Sequence, residues 1–158
     1  MGLSAQLENP PQEPRPASYV ARYGNDGAPD TLVFVRVGDD FVAEAQHIQR
    51  LTVRVILSDP GAQNLPASKR LPRAFVANKD RSLYNEPLAK GMEKHVELRL
   101  NHAPLSLSGL QDGWLVFDAK PEQFAVGKNV VGVRVTKRFP EFPERISIEK
   151  MEVHVDYL

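Results

Sequence analysis

The sequence contains no cysteine, no long hydrophobic run and no excess of charge of one sign. Without cysteine the chain has no disulfide, no thiol nucleophile and no thiolate zinc site, and both reducing and oxidising compartments fit. No segment approaches the about 18 apolar residues of a transmembrane helix. The 20 basic residues balance the 20 acidic residues, so the net charge attracts neither nucleic acid nor an anionic membrane. We therefore expect any partner to be recognised by a local surface.

The composition fits one domain, because the chain has 158 residues and is 42% hydrophobic. The segment MGLSAQLENPPQEPRP is rich in proline and polar residues, which predicts a flexible tail or linker over 1–16 and one domain over 17–158. It lacks the apolar core of a secretory signal. A Met-Gly start that runs directly into such a segment fits a fragment of a larger protein, and an authentic tail fits equally.

Short segments with apolar side chains at alternate positions, or rich in β-branched and aromatic residues and bounded by a turn signal, predict β-strands. They are TLVFVRV at 31–37, LTVRVIL at 51–57, HVELRL at 95–100, GWLVFD at 113–118, VVGVRV at 130–135 and RISIEKMEVHVDYL at 145–158. In the last segment the apolar parity changes near Glu149 and Lys150, which predicts a β-bulge or a strand that crosses between sheets. Between the first two, DFVAEAQHIQR fits a helical turn or a loop.

About six short strands without helical heptads predict an all-β fold, an antiparallel β-sandwich or jelly roll, and a barrel stays open. The segment 59–93 is the exception, because it is irregular and contains prolines at 60, 66, 72 and 87. We interpret it as one long irregular excursion between strands. Long loops in compact domains often carry function, so this excursion is the first place to expect a specific activity.

Sequence motifs for catalysis are missing. There is no Gly-x-Ser-x-Gly, and Ser106 and Ser108 fall in what we interpret as a connection. The 4 histidines are scattered, without metal-ligand spacing. Carboxylates at turns leave a small glycoside hydrolase as a minor alternative. We therefore expect no enzyme and no cofactor, although Asp26 and Asp30 offer oxygen ligands for a structural calcium ion.

Aromatic residues on exposed loops can stack on sugar rings. Tyr84, within the excursion and beside Arg81 and Asn85, is the first candidate for such a contact. Trp114 is a second candidate, although it begins an apolar strand and core packing is favoured there. The basic residues of the excursion have aromatic neighbours, as in nucleic-acid surfaces, but the neutral chain favours a solvated loop.

Three segments carry a family resemblance: VELRLN at 96–101, WLVF at 114–117 with Pro121 after it, and VGKNVV at 126–131. From about Asp30 onward, the chain resembles the galactose-binding-like jelly-roll accessory domains found C-terminal in multidomain bacterial glycoside hydrolases. Where that family commonly has Asn-Gly, this sequence has Asn101 and His102. The excursion has no counterpart in the resemblance.

The resemblance implies an eight-stranded sandwich, frequently with calcium and sometimes with a sugar site on its loops. It implies a non-catalytic module that binds glycan weakly or packs against a catalytic domain, outside the cell or in the periplasm. We expect no nucleic-acid or membrane partner, because the net charge is balanced. The alternative is a structural or assembly module that forms a protein interface without a small ligand. Exposed apolar side chains such as Val33 or Ile56 would support that alternative.

Overall fold

The computed structural model describes residues 2–5, 20–22, 31–59, 65–74, 86–136 and 145–158. Eleven strands form in this part of the chain. They are β1 (Gly2–Ala5), β2 (Val20–Arg22), β3 (Thr31–Val37), β4 (Ile48–Asp59), β5 (Glu86–Pro87), β6 (Val96–Leu100), β7 (Ala103–Pro104), β8 (Ser106–Gln111), β9 (Trp114–Ala119), β10 (Gly127–Val135) and β11 (Arg145–Tyr157). Short 3-10 helices span Ala45–His47, Ala67–Lys69, Met92–His95 and Pro121–Gln123. No helix in these ranges is long and apolar enough to cross a membrane.

The strands form two antiparallel sheets. The large sheet has the order β1-β11-β4-β9-β8, with β2 added to β11 and β5 added to β4. The small sheet has the order β3-β10-β6-β7. The predicted all-β antiparallel sandwich is therefore confirmed. The finer likeness to galactose-binding-like domains stays a prediction.

The core lies between the two sheets because alternate side chains of each strand point inward. The small sheet contributes Val33, Val35 and Val37 from β3, Leu98 and Leu100 from β6, and Val131, Val133 and Val135 from β10. The large sheet contributes Val53 and Val55 from β4, Phe117 from β9, and Ile146, Ile148, Met151, Val153 and Val155 from β11. Each buried aliphatic side chain of this kind contributes about 1.5–3 kcal/mol. The alternation predicted from the sequence is thus what places these residues in the core.

The predicted change of parity in β11 is a β-bulge. The register passes from Ile148 opposite Leu57 to Lys150 opposite Ile56, which leaves Glu149 as the additional residue. Ile148 and Met151 are three positions apart, so they would point to opposite sides of a regular strand. The bulge lets both side chains reach the core. Glu149 accepts a hydrogen bond of 2.8 Å from the Ser58 hydroxyl. The extra residue therefore has a buried polar partner on the neighbouring strand.

Asn129, which is fully buried, joins the turns around β6 and β10. Its amide accepts hydrogen bonds from the Ala125 N–H (2.8 Å) and the Asn101 Nδ2 (2.8 Å), and it donates to the Ala125 carbonyl (2.9 Å). Gly127, with φ 94°, makes the tight turn that precedes it. The sequence motif Gly-x-Asn thus has the backbone-bonding role that its residues suggest.

The described ends of the excursion pack on the large sheet. Arg70 is 5% exposed, and its Nη1 lies 3.7 Å from Asp59 Oδ2. It also donates hydrogen bonds to the carbonyls of Pro87 (2.7 Å) and Leu65 (3.2 Å). The expectation of a solvated loop is therefore wrong at Arg70. This cation is buried because it joins two passes of the chain, a contact that local sequence does not encode.

Candidate functional site

Most of the predicted site residues lie outside the described part of the chain. These are the glycan-contact candidates Arg81, Tyr84 and Asn85 and the calcium-ligand candidates Asp26 and Asp30. Their roles stay predictions. Within the described ranges, no group of three or more His, Asp or Glu side chains could hold a metal ion.

Trp114 is buried on the outer side of the large sheet. It is 4% exposed and packs with Ile56 and Ala74. The Arg54 guanidinium lies 4.7 Å from the ring centroid, and the Lys150 ammonium lies 6.0 Å from it. These cation–π contacts and the burial agree with core packing. The Trp114 ring therefore does not form an exposed platform for a sugar.

An open groove runs along β8 on the outer side of the large sheet. We call it the β8 groove, and it has a volume of about 240 Å³. Its lining residues are Arg50, Ser108, Gly109, Leu110, Gln111 and Val116. Small-molecule pockets usually begin at about 300 Å³. The β8 groove is thus sized for one small, solvated group.

Arg50 is the central polar residue of the β8 groove. It donates hydrogen bonds from Nε (3.3 Å) and Nη2 (3.1 Å) to Asp118 Oδ1, and from Nη2 to the Ser108 hydroxyl (2.8 Å). The Nη1 group makes no hydrogen bond to the described residues. Because a guanidinium carries five N–H donors, Arg50 is oriented by two partners and still has donors for a ligand.

A β-bulge shapes the edge of this groove. The register of β8 passes from Leu107 opposite Phe117 to Gly109 opposite Val116, which leaves Ser108 as the additional residue. Gly109 has φ 150°, a conformation that favours glycine. No described strand pairs with the other side of β8. The bulge thus interrupts the edge and allows the Ser108 hydroxyl to meet Arg50.

Polar side chains continue from the β8 groove across the outer side of the large sheet. In the strand register, Arg50 is opposite Asp156 and Thr52 is opposite both His154 and Asp118. His154 Nε2 lies 3.2 Å from Asp156 Oδ1. Thr52 is buried, but the exposed or half-buried groups of Arg50, Asp118, His154 and Asp156 suit a ligand with several hydroxyl groups.

Tyr157 forms a second polar group at the same end of the large sheet. Its hydroxyl donates a hydrogen bond of 3.5 Å to Glu44 Oε2. Burial raises the pKa of Tyr157, and the carboxylates of Asp39 and Glu44 raise it further. The tyrosine ring packs against the core. Its side chain therefore anchors the loop after β3 rather than lining the β8 groove.

A smaller cavity between Ile56, Ala74 and Leu115 has a volume of about 20 Å³. A cavity needs about 10–15 Å³ of such volume for one water molecule. It is therefore large enough for a water molecule and too small for a sugar ring.

Comparisons of the chain with protein-family models, with characterised proteins and with solved structures find no match. The β8 groove was not predicted from the sequence. Arg50 precedes the alternating run that identified β4, and Ser108 was assigned to a connection. The one available signal was the outward parity of Arg50 relative to Leu51, and parity does not identify a groove.

Proposed function

We propose that this chain is a non-catalytic accessory module of a carbohydrate-active protein that binds glycan weakly through the β8 groove. One observation carries the proposal: an open groove across the neighbouring strands β4, β9 and β8 is lined by Arg50, whose Nη1 donors make no hydrogen bond to the described residues, and by the exposed Gln111. The family resemblance of the sequence supports the same class of ligand.

The chemistry of the groove fits a sugar. Hydroxyl groups can bond to Arg50, Ser108 and Gln111. Among the described residues, the lining contains no aromatic ring for stacking. We therefore expect weak affinity, with a dissociation constant of about 1 mM, or about −4 kcal/mol.

Affinity electrophoresis through gels that contain one soluble polysaccharide each tests this proposal. We expect at least one neutral or uronate-containing polysaccharide to retard the wild type, and Arg50→Ala and Gln111→Ala to remove the retardation. Lys69→Ala is the matched control, because Lys69 is exposed on the distant 3-10 helix Ala67–Lys69. Thermal unfolding of Arg50→Ala checks that the fold is intact. Retardation that survives both groove substitutions would reject the groove as the site.

A second candidate function is a structural or assembly module that forms a protein interface. Leu32, on the outer side of the small sheet, is 50% exposed, and the neighbouring Phe34 and Val130 are half-buried. Val33 and Ile56, which the sequence suggested as exposed, are only 1% and 6% exposed. The observation that favours an interface therefore comes from Leu32 and Phe34, which share β3 with Val33, and from Val130 of β10.

A further inference from the structure

The outer side of the small sheet has a defined pattern of side chains. Because Val33, Val35 and Val37 of β3 point into the core, Leu32, Phe34 and Arg36 point outward. The same alternation directs Lys128, Val130 and Arg134 of β10 outward, together with Glu97 and Arg99 of β6. We call these outward side chains the basic face.

The basic face carries a local charge that the neutral chain conceals. Among the outward side chains of β3, β6 and β10 that the structure describes, four cations are accompanied by one carboxylate, Glu97. The Arg99 Nε lies 2.6 Å from Glu97 Oε1, and the Arg134 Nη2 lies 3.7 Å from the same oxygen. Glu97 is thus shared by two arginines. The described side chains of the face, four cations and one carboxylate, sum to a formal charge of three positive units, although the net charge of the whole chain is +0.

At the other end of this face, two cations are direct neighbours. Lys128 is opposite Arg36 in the antiparallel register, and both residues are exposed. The Lys128 ammonium lies 4.1 Å from the centroid of the Phe34 ring. Like charges at opposite positions destabilise a sheet. The contact of Lys128 with the Phe34 ring offsets part of this cost.

Apolar side chains lie between the two groups of cations. Phe34 is opposite Val130, and Leu32 is opposite Gly132, so the three apolar residues occupy the middle of the face. Leu32 is 50% exposed. Protein interfaces have this arrangement, with an apolar centre, a polar rim, and enrichment in aromatic residues and arginine.

We infer that the basic face binds an acidic protein surface that has an apolar centre. Charge complementarity selects the partner, and Leu32, Phe34 and Val130 supply the area that is desolvated. A nucleic acid is a poorer fit, because its recognition relies on contacts to many phosphates, whereas the middle of this face is apolar. The inference rests on the second proposed function, the protein interface, and is independent of glycan binding in the β8 groove.

The test is a fluorescence-anisotropy titration with a labelled 12-residue peptide that contains eight glutamates and four leucines. We expect Arg36→Glu combined with Lys128→Glu to weaken binding about tenfold, because it reverses the charge of the rim. Lys69→Glu combined with Lys90→Glu makes the same change of charge at exposed positions elsewhere, and we expect it to weaken binding less than about twofold. Leu32→Ser should weaken binding about fivefold at high and low salt alike, because it removes an apolar contact.

Several outcomes would overturn the inference. Equal losses in the two charge-reversed variants would mean that only net charge matters. Equally tight binding of a 12-nucleotide thymidine oligomer or of phosphatidylserine vesicles would assign the face to a polyanion or a membrane. Concentration-dependent sedimentation that Leu32→Ser removes would assign it to a second copy of the chain. If the basic-face substitutions do not change the affinity for the peptide, the protein interface lies on another surface and the inference is overturned. If the protein binds neither this peptide nor a version with lysine in place of glutamate, the proposed interface function is overturned as well.

Discussion

The outer sides of the two sheets differ in the pairing of their charges and in the exposure of their apolar side chains. On the large sheet, Thr52, Val116 and Trp114 are all less than 5% exposed, and the charges are paired: Glu152 lies 3.8 Å from Arg54 and 3.5 Å from Lys150. On the small sheet, Leu32 is 50% exposed and cations predominate. The outer side of the large sheet is therefore buried around Trp114 and open along the β8 groove, whereas the small sheet exposes apolar side chains and cations on its outer side. The equal numbers of acidic and basic residues in the whole chain give no indication of this difference between the two sheets.

Substitution of one aromatic residue on each outer side should show the difference most clearly. We expect Trp114→Ala to lower the free energy of unfolding by about 3–5 kcal/mol, because it leaves a cavity. Phe34→Ala removes a half-buried ring and should cost less than about 1.5 kcal/mol. Urea denaturation measures both. Equal losses would mean that Phe34 is as deeply packed as Trp114.

Removal of one carboxylate from each side is the next test. Glu152 is 9% exposed, so Glu152→Gln leaves Arg54 and Lys150 short of a partner in a buried setting, and we expect a loss of about 2–3 kcal/mol. Glu97→Gln acts on a more exposed pair and should cost about 1 kcal/mol. Only Glu97→Gln should tighten binding of the acidic peptide, because it makes the basic face more positive. Tighter binding by Glu152→Gln would contradict the separation of the two sides.

The turn between β6 and β7 offers a test in the stabilising direction. His102 has φ 74°, a left-handed conformation that costs an L-residue about 1–2 kcal/mol. His102→Gly removes this strain but increases the entropy of the unfolded chain, so we expect a net gain of about 0.5–1 kcal/mol. Thermal unfolding measures it, with Asn101→Gly as the contrast. Asn101 also has positive φ, but its side chain donates to Gln123 and Asn129, and its replacement should destabilise.

A smaller effect is expected from the like-charge pair. Lys128→Glu replaces repulsion with an opposite-charge pair to Arg36, worth about 0.2–1 kcal/mol, and loses a cation–π contact of about 0.5–1 kcal/mol. The free energy of unfolding should stay within about 0.5 kcal/mol of the wild type, while binding of the acidic peptide weakens. Parallel losses of stability and binding would mean that Lys128 acts through the fold.

The sequence predicted the parts of the fold that local rules determine. β-branched and aromatic composition identified β3, alternation identified β6 and β10, and the parity change identified the bulge at Glu149. It did not identify β8, because serine and glycine in SLSGLQ give a weak strand signal and the bulge at Ser108 interrupts the alternation. The candidate site was missed for a related reason. Arg50, Ser108 and Asp118 come from three strands, so their contact depends on sheet order, which no local pattern specifies.

Tyr157 gives the smallest predicted effect, at the end of the large sheet. Burial, Asp39 and Glu44 raise the pKa of Tyr157 in the folded state, so the fold favours the neutral phenol. This contribution is fully present below the unfolded pKa of about 10 and is lost as the pH rises through the higher folded pKa. The stability of the wild type should therefore fall more steeply than that of Tyr157→Phe above pH about 10. Urea denaturation of both proteins across this pH range measures the difference between their free energies of unfolding. The titration of the other groups is common to both proteins and cancels in this difference. Parallel curves would mean that the phenolate is tolerated beside the two carboxylates, and Tyr157 would then not anchor the loop through its hydroxyl.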